Sequence, residues 1–562
     1  MKFKITNKSI DPIFISGLVL IIGSIIVYFW VISQYIVNIP FGDEYGAALD
    51  WISQFNGLES IRDRFLSLFH QANEHRIFTY SAAVLSDYKF FGTLDFKRLL
   101  WEGNISILLL FLLLVNLLKF DKKTPITILP IALIIFIPQH EISDWGIVAF
   151  GTILQTSIVI GALIFLNKPG NYQIIVAILL AFITTFSFGN GMFVFICGYL
   201  ILLLNKEKNP TKWLLWSMFM LISISLYFAN YVFLGSFTKD IFSHFLDILQ
   251  YFLVFFGSIF APLLFGRISL FIVTGSLVLL YLGLLVVCKW NRVKNYPVVL
   301  SILLFILLSA GAASITRISF GIGGATAPRY ILLQAVFISL IFILTIESFS
   351  KHKKLVLSII LPLSIVLYGA RLNHNIKRMT IHKKHLEEIV LNYYVDFENI
   401  KTFAPPPKTI KNLIDNSKEN GIYLPPALQE FYPEIKRINI TDTVSSIEKM
   451  QMAIDFFKEN GSVIQLKGWA FSETDFSADK KIGVFFKSKT DMYVFSTTSI
   501  SRKDVTSYFS SNFPGLTTNT GFNFIFDNTA SGMLKGNYKI GLCIYEKGKV
   551  KASTLTRYIV KI

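Results

Sequence analysis

Long apolar stretches separated by short charged loops fill the first two-thirds of the chain, and alternating apolar and polar residues take over near its end. The first stretch, 12–36, is long enough to cross a bilayer. Lys2, Lys4 and Lys8 precede it, so the loop beyond its far end is expected on the non-cytoplasmic face. Its apolar run is too long for a cleaved leader and no small-x-small site comes after it, so it reads as an uncleaved signal anchor. Further stretches suited to spanning recur at 103–118, 124–138, 145–166, 172–186, 191–204, 212–233, 268–287, 297–314, 330–346 and 355–369. With the first they make about eleven spans, several of them shorter than the ~20 residues of a straight crossing.

Basic loops alternate with loops of other character. Lys119, Lys122 and Lys123, then Lys168, Lys206 and Lys208, Lys289, Arg292 and Lys294, and Lys351, Lys353 and Lys354 mark the cytoplasmic side. One apolar segment, 244–265, breaks the alternation, because a full crossing there would put the basic loop at 289–294 outside. It is expected as a re-entrant or interfacial element on the outer side. The span count is then odd, and the chain from Arg371 onward lies outside the cytoplasm.

The expected organisation is a membrane domain at 1–370 with a long first outer loop at 38–102, a connector of helix and loop at 371–460, and a β-sandwich at 461–562. The connector is polar and carries Pro405, Pro406, Pro407, Pro425 and Pro426. The sandwich is read from period-two runs at 463–471, 481–486, 492–496, 521–526 and 538–545, set between Gly, Asn and Asp turns.

Composition agrees with a polytopic helical membrane protein: 53% hydrophobic residues, 16% charged residues and 53 phenylalanines. The formal charge of +17 sits in short loops between apolar segments, which is the positive-inside pattern and excludes a nucleic-acid patch as its explanation. The cysteines, Cys197, Cys288 and Cys543, offer no disulfide framework and no cysteine-based metal site.

Reactive residue types concentrate in the first outer loop. Asp43 and Glu44 come just after the first span, and Glu74, His75 and Arg76 lie further along. A carboxylate can take a proton from a hydroxyl, and Arg or His can hold a phosphate by charge-assisted hydrogen bonds. Asp43 and Glu44 read equally as solvated charges at a helix end, and His75 as a packing residue. Arg317 and Arg329 flank a glycine-rich loop, Gly321, Gly323 and Gly324, where they bind a lipid phosphate or snorkel to headgroups. That loop lacks the strand, helix and Lys-Ser/Thr context of a nucleotide site. His140, Glu141 and Asp144 have metal-ligand chemistry, but scattered outer-loop ligands are more often solvent-facing, so no cofactor is expected and a divalent metal has no support.

The Asp-Glu pair at 43–44, the long first external loop, the multi-span core and the extracytoplasmic C-terminal domain together resemble the GT-C superfamily of integral-membrane glycosyltransferases. The resemblance implies a polyprenyl-phosphate-linked sugar as donor, an envelope glycan, lipid or protein as acceptor, and residence in the cytoplasmic (inner) membrane among its lipids. It implies Asp43 as catalytic base with Glu44 beside it. Arg329, Arg317, Arg76 and His75 are the expected donor-phosphate residues, and Glu74, Trp145 and Asn190 are acceptor or structural candidates. The segments around Glu74, Trp145, Asn190 and Arg329 look like those of a poorly characterised bacterial branch. Features from Gly468 to Tyr538 resemble β-modules attached to bacterial polysaccharide enzymes. Two rival readings share the lipid-linked substrate: a transporter or flippase, disfavoured because the spans are almost free of charge, and a polysaccharide polymerase or ligase, disfavoured by the acidic pair's place in the first loop.

Overall fold

A computed structural model describes residues 12–119, 122–233, 243–395, 405–431, 436–438, 449–474, 480–527, 533–546 and 549–562. Lys2, Lys4 and Lys8, part of the connector and several turns of the β-region lie outside the described residues. The chain separates into two compact units, one of residues 1–384 with 413–424, the other of residues 385–412 with 425–562.

The first unit is helical. Among the described residues nine helices are long and apolar enough to cross a membrane, and three shorter apolar helices join them at Pro125–Ile135, Asn171–Thr185 and Gly189–Leu204. Each of the expected apolar segments coincides with a helix, because an apolar chain in lipid satisfies its backbone only within itself. Local chemistry starts several of them. Asp95 accepts from the backbone amides of Lys97 (2.8 Å) and Arg98 (3.2 Å) ahead of Phe96–Asn116, and Asn209 accepts from Thr211 (3.0 Å) ahead of Pro210–Phe228. Proline occupies the first position of Pro125–Ile135, Pro210–Phe228 and Pro297–Thr316, where its missing N–H costs nothing.

The segment 244–265 forms an α-helix, Phe245–Gly257, and a 3-10 helix, Ser258–Leu263. It packs closely on Ile268–Cys288: a methyl added at Gly275 would lie 1.9 Å from the Leu253 carbonyl oxygen, and one at Gly257 would lie 2.0 Å from that of Phe271. Its Phe255 ring meets Tyr330 (5.3 Å), beside Arg329.

The basic loops meet one another. Glu347 accepts from Lys122 Nζ (2.5 Å), Tyr296 Oη (2.7 Å) and the Lys119 amide (3.0 Å), while Arg292 donates to the Ser348 carbonyl. Lys212 Nζ donates to Glu207 (3.0 Å) and to the Lys168 carbonyl (3.2 Å). Loops expected on one side therefore share contacts.

The last apolar helix, Lys353–Val395, has 43 residues and spans on the order of 65 Å, about twice a bilayer's hydrocarbon thickness. Polarity changes near Arg371, but no residue there breaks the helix, so the expected domain boundary at 370 falls inside a continuous element.

The C-terminal region is β-rich. Its strands are β3 (Arg437–Ile438), β4 (Met450–Asn460), β5 (Val463–Ser472), β6 (Lys481–Lys487), β7 (Met492–Ser496), β8 (Thr498–Ile500), β9 (Gly521–Asp527), β10 (Asn537–Glu546) and β11 (Lys549–Lys561). The first two strands of the chain, β1 (Gln71–Ala72) and β2 (His75–Arg76), belong to the membrane unit. One sheet has the order β11-β10-β6-β7-β3 and the other β4-β5-β9-β8, with antiparallel pairing throughout. Leu466, Val484, Phe486, Phe524, Phe526, Ile540 and Leu542, from both sheets, share one core. β4 lies ahead of the expected start at Gly461. A bulge between Ile454 and Phe456 shifts its pairing with β5, so the apolar alternation of Met450, Met452 and Ile454 resumes out of phase at Phe457.

Candidate functional site

A cavity of about 650 Å³ opens in the membrane unit. Its lining draws on the first long loop (Asp43, Glu74, His75), the start of the helix Gly146–Leu166 (Trp145, Ile147), the turn at Phe188–Asn190, the aromatic run at the end of Pro210–Phe228 and beyond it, and the loop bearing Arg317 and Arg329. Seven of the nine residues singled out in the sequence thus face one space: Asp43, Glu74, His75, Trp145, Asn190, Arg317 and Arg329. Glu44 and Arg76 do not.

Asp43 reaches the cavity through a left-handed turn. Gly42 has φ +55°, and a methyl added there would lie 3.1 Å from the Trp145 ring, so both the conformation and the space call for glycine. The Asp43 carbonyl accepts from the amides of Gly46 (3.1 Å) and Ala47 (2.8 Å), which starts the next helical turn. Its carboxylate makes no hydrogen bond or ion pair among the described residues.

Glu44 points the other way, into the protein, and is buried. Its Oε2 accepts from the Phe41 amide (2.9 Å), and its Oε1 accepts from Tyr80 Oη (3.0 Å) and the Ile147 amide (3.3 Å). A methyl at Gly146 would lie 2.6 Å from Oε1, so the carboxylate occupies room that only a glycine leaves. Burial pushes its carboxyl up to about 7 against the opposing pull of these donors. Glu44 ties the Asp43 turn to the helix behind Trp145.

Arg76 is also buried, and its guanidinium donates to three backbone carbonyls, those of Tyr227 (2.8 Å), Phe69 (2.5 Å) and Ala229 (2.5 Å). It fastens a small hairpin to the chain beyond Pro210–Phe228 instead of presenting a cation to the cavity. That hairpin pairs β1 (Gln71–Ala72) with β2 (His75–Arg76) around a tip of Asn73, with φ +51°, and Glu74. Gln71 exchanges hydrogen bonds with Val232 (2.7 and 3.0 Å), and Tyr231 Oη donates to the Glu74 carbonyl (2.8 Å).

The two arginines of the cavity are paired. Arg317 makes an ion pair with Glu74, and Arg329 makes one with Glu141 (3.5 Å). His75 lies against Phe188 (ring centroids 4.2 Å), and its Nδ1 is buried without a partner among the described residues. Burial, and then the nearby Arg317 and Arg329, push the imidazole down to about 4, so His75 is neutral at physiological pH. As a neutral group it can exchange a hydrogen bond with a phosphate oxygen without adding charge. Trp145 Nε1 is likewise buried and unpartnered among the described residues, beneath Phe41 (5.1 Å). Asn190 donates to Ser309 (3.0 Å) and accepts from the Gln155 amide (3.1 Å), so it joins three apolar helices at the cavity lining.

His140, Glu141 and Asp144 act as structure. His140 Nδ1 pairs with Asp144 Oδ2 (2.9 Å), and Asp144 Oδ1 accepts from the Glu141 amide (2.6 Å), holding Glu141 at φ +65° where its carboxylate meets Arg329. Burial works against the Asp144 charge, but the bond from His140 and the cations around it hold its carboxyl below the usual range. Among the described residues no cluster of three or more His, Cys, Asp or Glu side chains is arranged to hold a metal ion.

The aromatic wall was not anticipated. Tyr227, Phe228, Tyr231 and Phe233 line the cavity because the helix ends at Phe228, short of the expected 233, and Asn230 turns the chain at φ +56°. The signal was present as an aromatic run interrupted by Ala229-Asn230. Comparison of the chain with protein-family models, with curated proteins and with solved structures found no match.

Proposed function

We propose that this chain is a GT-C-like glycosyltransferase that moves a sugar from a polyprenyl-phosphate carrier to an envelope glycan, lipid or protein on the outer face of the cytoplasmic membrane. The observation that carries the reading is the convergence of Asp43 with Arg317 and Arg329, nearly three hundred residues apart in sequence, in one cavity walled by aromatic rings. A carboxylate unpaired among the described residues, two guanidinium groups and an apolar wall match the three needs of the reaction: a base, an anion seat and a place for an isoprenoid chain.

In this reading Asp43 takes the proton of the acceptor hydroxyl as that oxygen attacks the anomeric carbon. The new C–O bond forms as the bond from the anomeric carbon to the carrier phosphate breaks, with inversion. The electron pair leaves with the phosphate, whose charge Arg317 and Arg329 stabilise. Neutral His75 contributes hydrogen bonding without charge. The outward orientation rests on the loop alternation, and the β-rich region is read as an extracytoplasmic sandwich appended to the enzyme.

The test is transfer from a synthetic polyprenyl-phosphate sugar by the protein reconstituted in lipid vesicles. Asp43→Asn keeps the side chain's shape but cannot accept the proton, so the rate is expected to fall ~10²–10⁴-fold with insertion and expression unchanged. Equal rates for Asp43→Asn and the parent would remove the proposal. Movement of an intact lipid-linked saccharide across the vesicle bilayer, without transfer, would establish the flippase reading in its place.

A further inference from the structure

Both cavity arginines are already engaged by carboxylates of the protein itself, and one of those carboxylates sits at the tip of a short hairpin. Glu74 is at the tip of the β1-β2 hairpin and pairs with Arg317. Gln71, Glu74 and Arg76 bond the hairpin to the segment 227–232, whereas its hold on the far wall comes from the Glu74–Arg317 pair and the contact of His75 with Phe188. The ion pair is half-exposed, with side-chain exposures of 25% for Arg317 and 38% for Glu74, so water and a competing anion can both reach it. His75 Nδ1 is buried beside it without a partner among the described residues, a standing cost of this arrangement.

We propose that Glu74 is a placeholder for the ligand's phosphate: it occupies the anion seat on Arg317 in the empty site, and a lipid phosphate displaces it and releases the hairpin tip. The proposal rests on the reading of this cavity as a lipid-phosphate site and adds how the seat is regulated. The carboxylate and the phosphate compete for one guanidinium, so binding is weaker than the two arginines alone would give, and the site is not left as an open cationic trap for other anions. Release of the tip also frees His75 from Phe188 and gives its orphan nitrogen access to a ligand oxygen.

Binding of polyprenyl monophosphate to the full-length protein in lipid nanodiscs tests this without any sugar transfer. Glu74→Gln removes the competing charge and is expected to tighten binding about threefold, the scale of a half-exposed ion pair. Glu74→Asp, which keeps the charge, is expected to stay near the parent. Arg317→Gln is expected to weaken binding and to abolish the gain from Glu74→Gln when the two are combined. Unchanged or weaker binding by Glu74→Gln, equal tightening by Glu74→Asp, or no binding by any form would each overturn the proposal. A Glu74→Gln gain in a protein that transfers no sugar would sustain the placeholder while refuting the enzyme reading.

Discussion

Glu44→Gln tests the buried carboxyl beside Asp43 through its titration. Burial raises the Glu44 carboxyl from 4.5 to about 7. A folded-state pKa above the unfolded one means that the folded protein holds the proton more tightly. Its stability contribution is therefore full below pH 4.5, declines as pH rises through 7, and is constant above. At 1.36 kcal/mol per pH unit the decline amounts to about 3 kcal/mol. The amide has no such titration. It does bring an N–H2 group to a place where Oε1 and Oε2 accept from Tyr80, Ile147 and Phe41, and that mismatch costs on the order of 1–3 kcal/mol at every pH. The assay is the thermal unfolding midpoint of parent and variant in detergent from pH 4.5 to 8.5. The parent's midpoint is expected to lie above the variant's at acid pH, with the gap closing by pH 7.5 and staying constant beyond. His75 titrates in both proteins with the opposite sign, since its lowered pKa makes the fold more stable as pH rises from about 4, and it cancels in the difference. Parallel curves over the whole range would show that Glu44 is ionised and solvated, and the buried role assigned to it would be wrong.

Arg76→Ala removes three hydrogen bonds to the carbonyls of Phe69, Tyr227 and Ala229 and is expected to cost roughly 3 kcal/mol, read as a lower unfolding midpoint. Arg76→Lys should recover only part of it, because an ammonium cannot span the three carbonyls as the planar fork does; full recovery would mean that Arg76 acts as a simple point charge. Topology is checked by reporters fused after Glu102, near Lys294 and after Ile562. The first and last are expected to report the outside and the second the cytoplasm, and a cytoplasmic C-terminus would refute the orientation.

Much of this protein was legible in its sequence because the bilayer imposes few solutions. An apolar run such as 268–287 has to be a helix wherever it packs, and the structure places one at Ile268–Cys288. Asp43 and Glu44 were not separable in the sequence, since both follow the first span at the start of one polar loop, yet the first lines the cavity and the second is buried. Tertiary structure alone decided their roles. Glu44 and Arg76 have the same local context as Asp43 and His75, yet one is buried against Tyr80 and Ile147 and the other against carbonyls at 227 and 229. Side-chain charge specifies what a residue can bind, but whether it meets ligand or protein depends on partners a hundred residues away. The phase shift in β4 was hidden likewise, since a bulge is set by the packing around it. The pairing of Arg317 with Glu74 joins loops 243 residues apart. No periodicity records such a contact; it exists only once the helices between have packed.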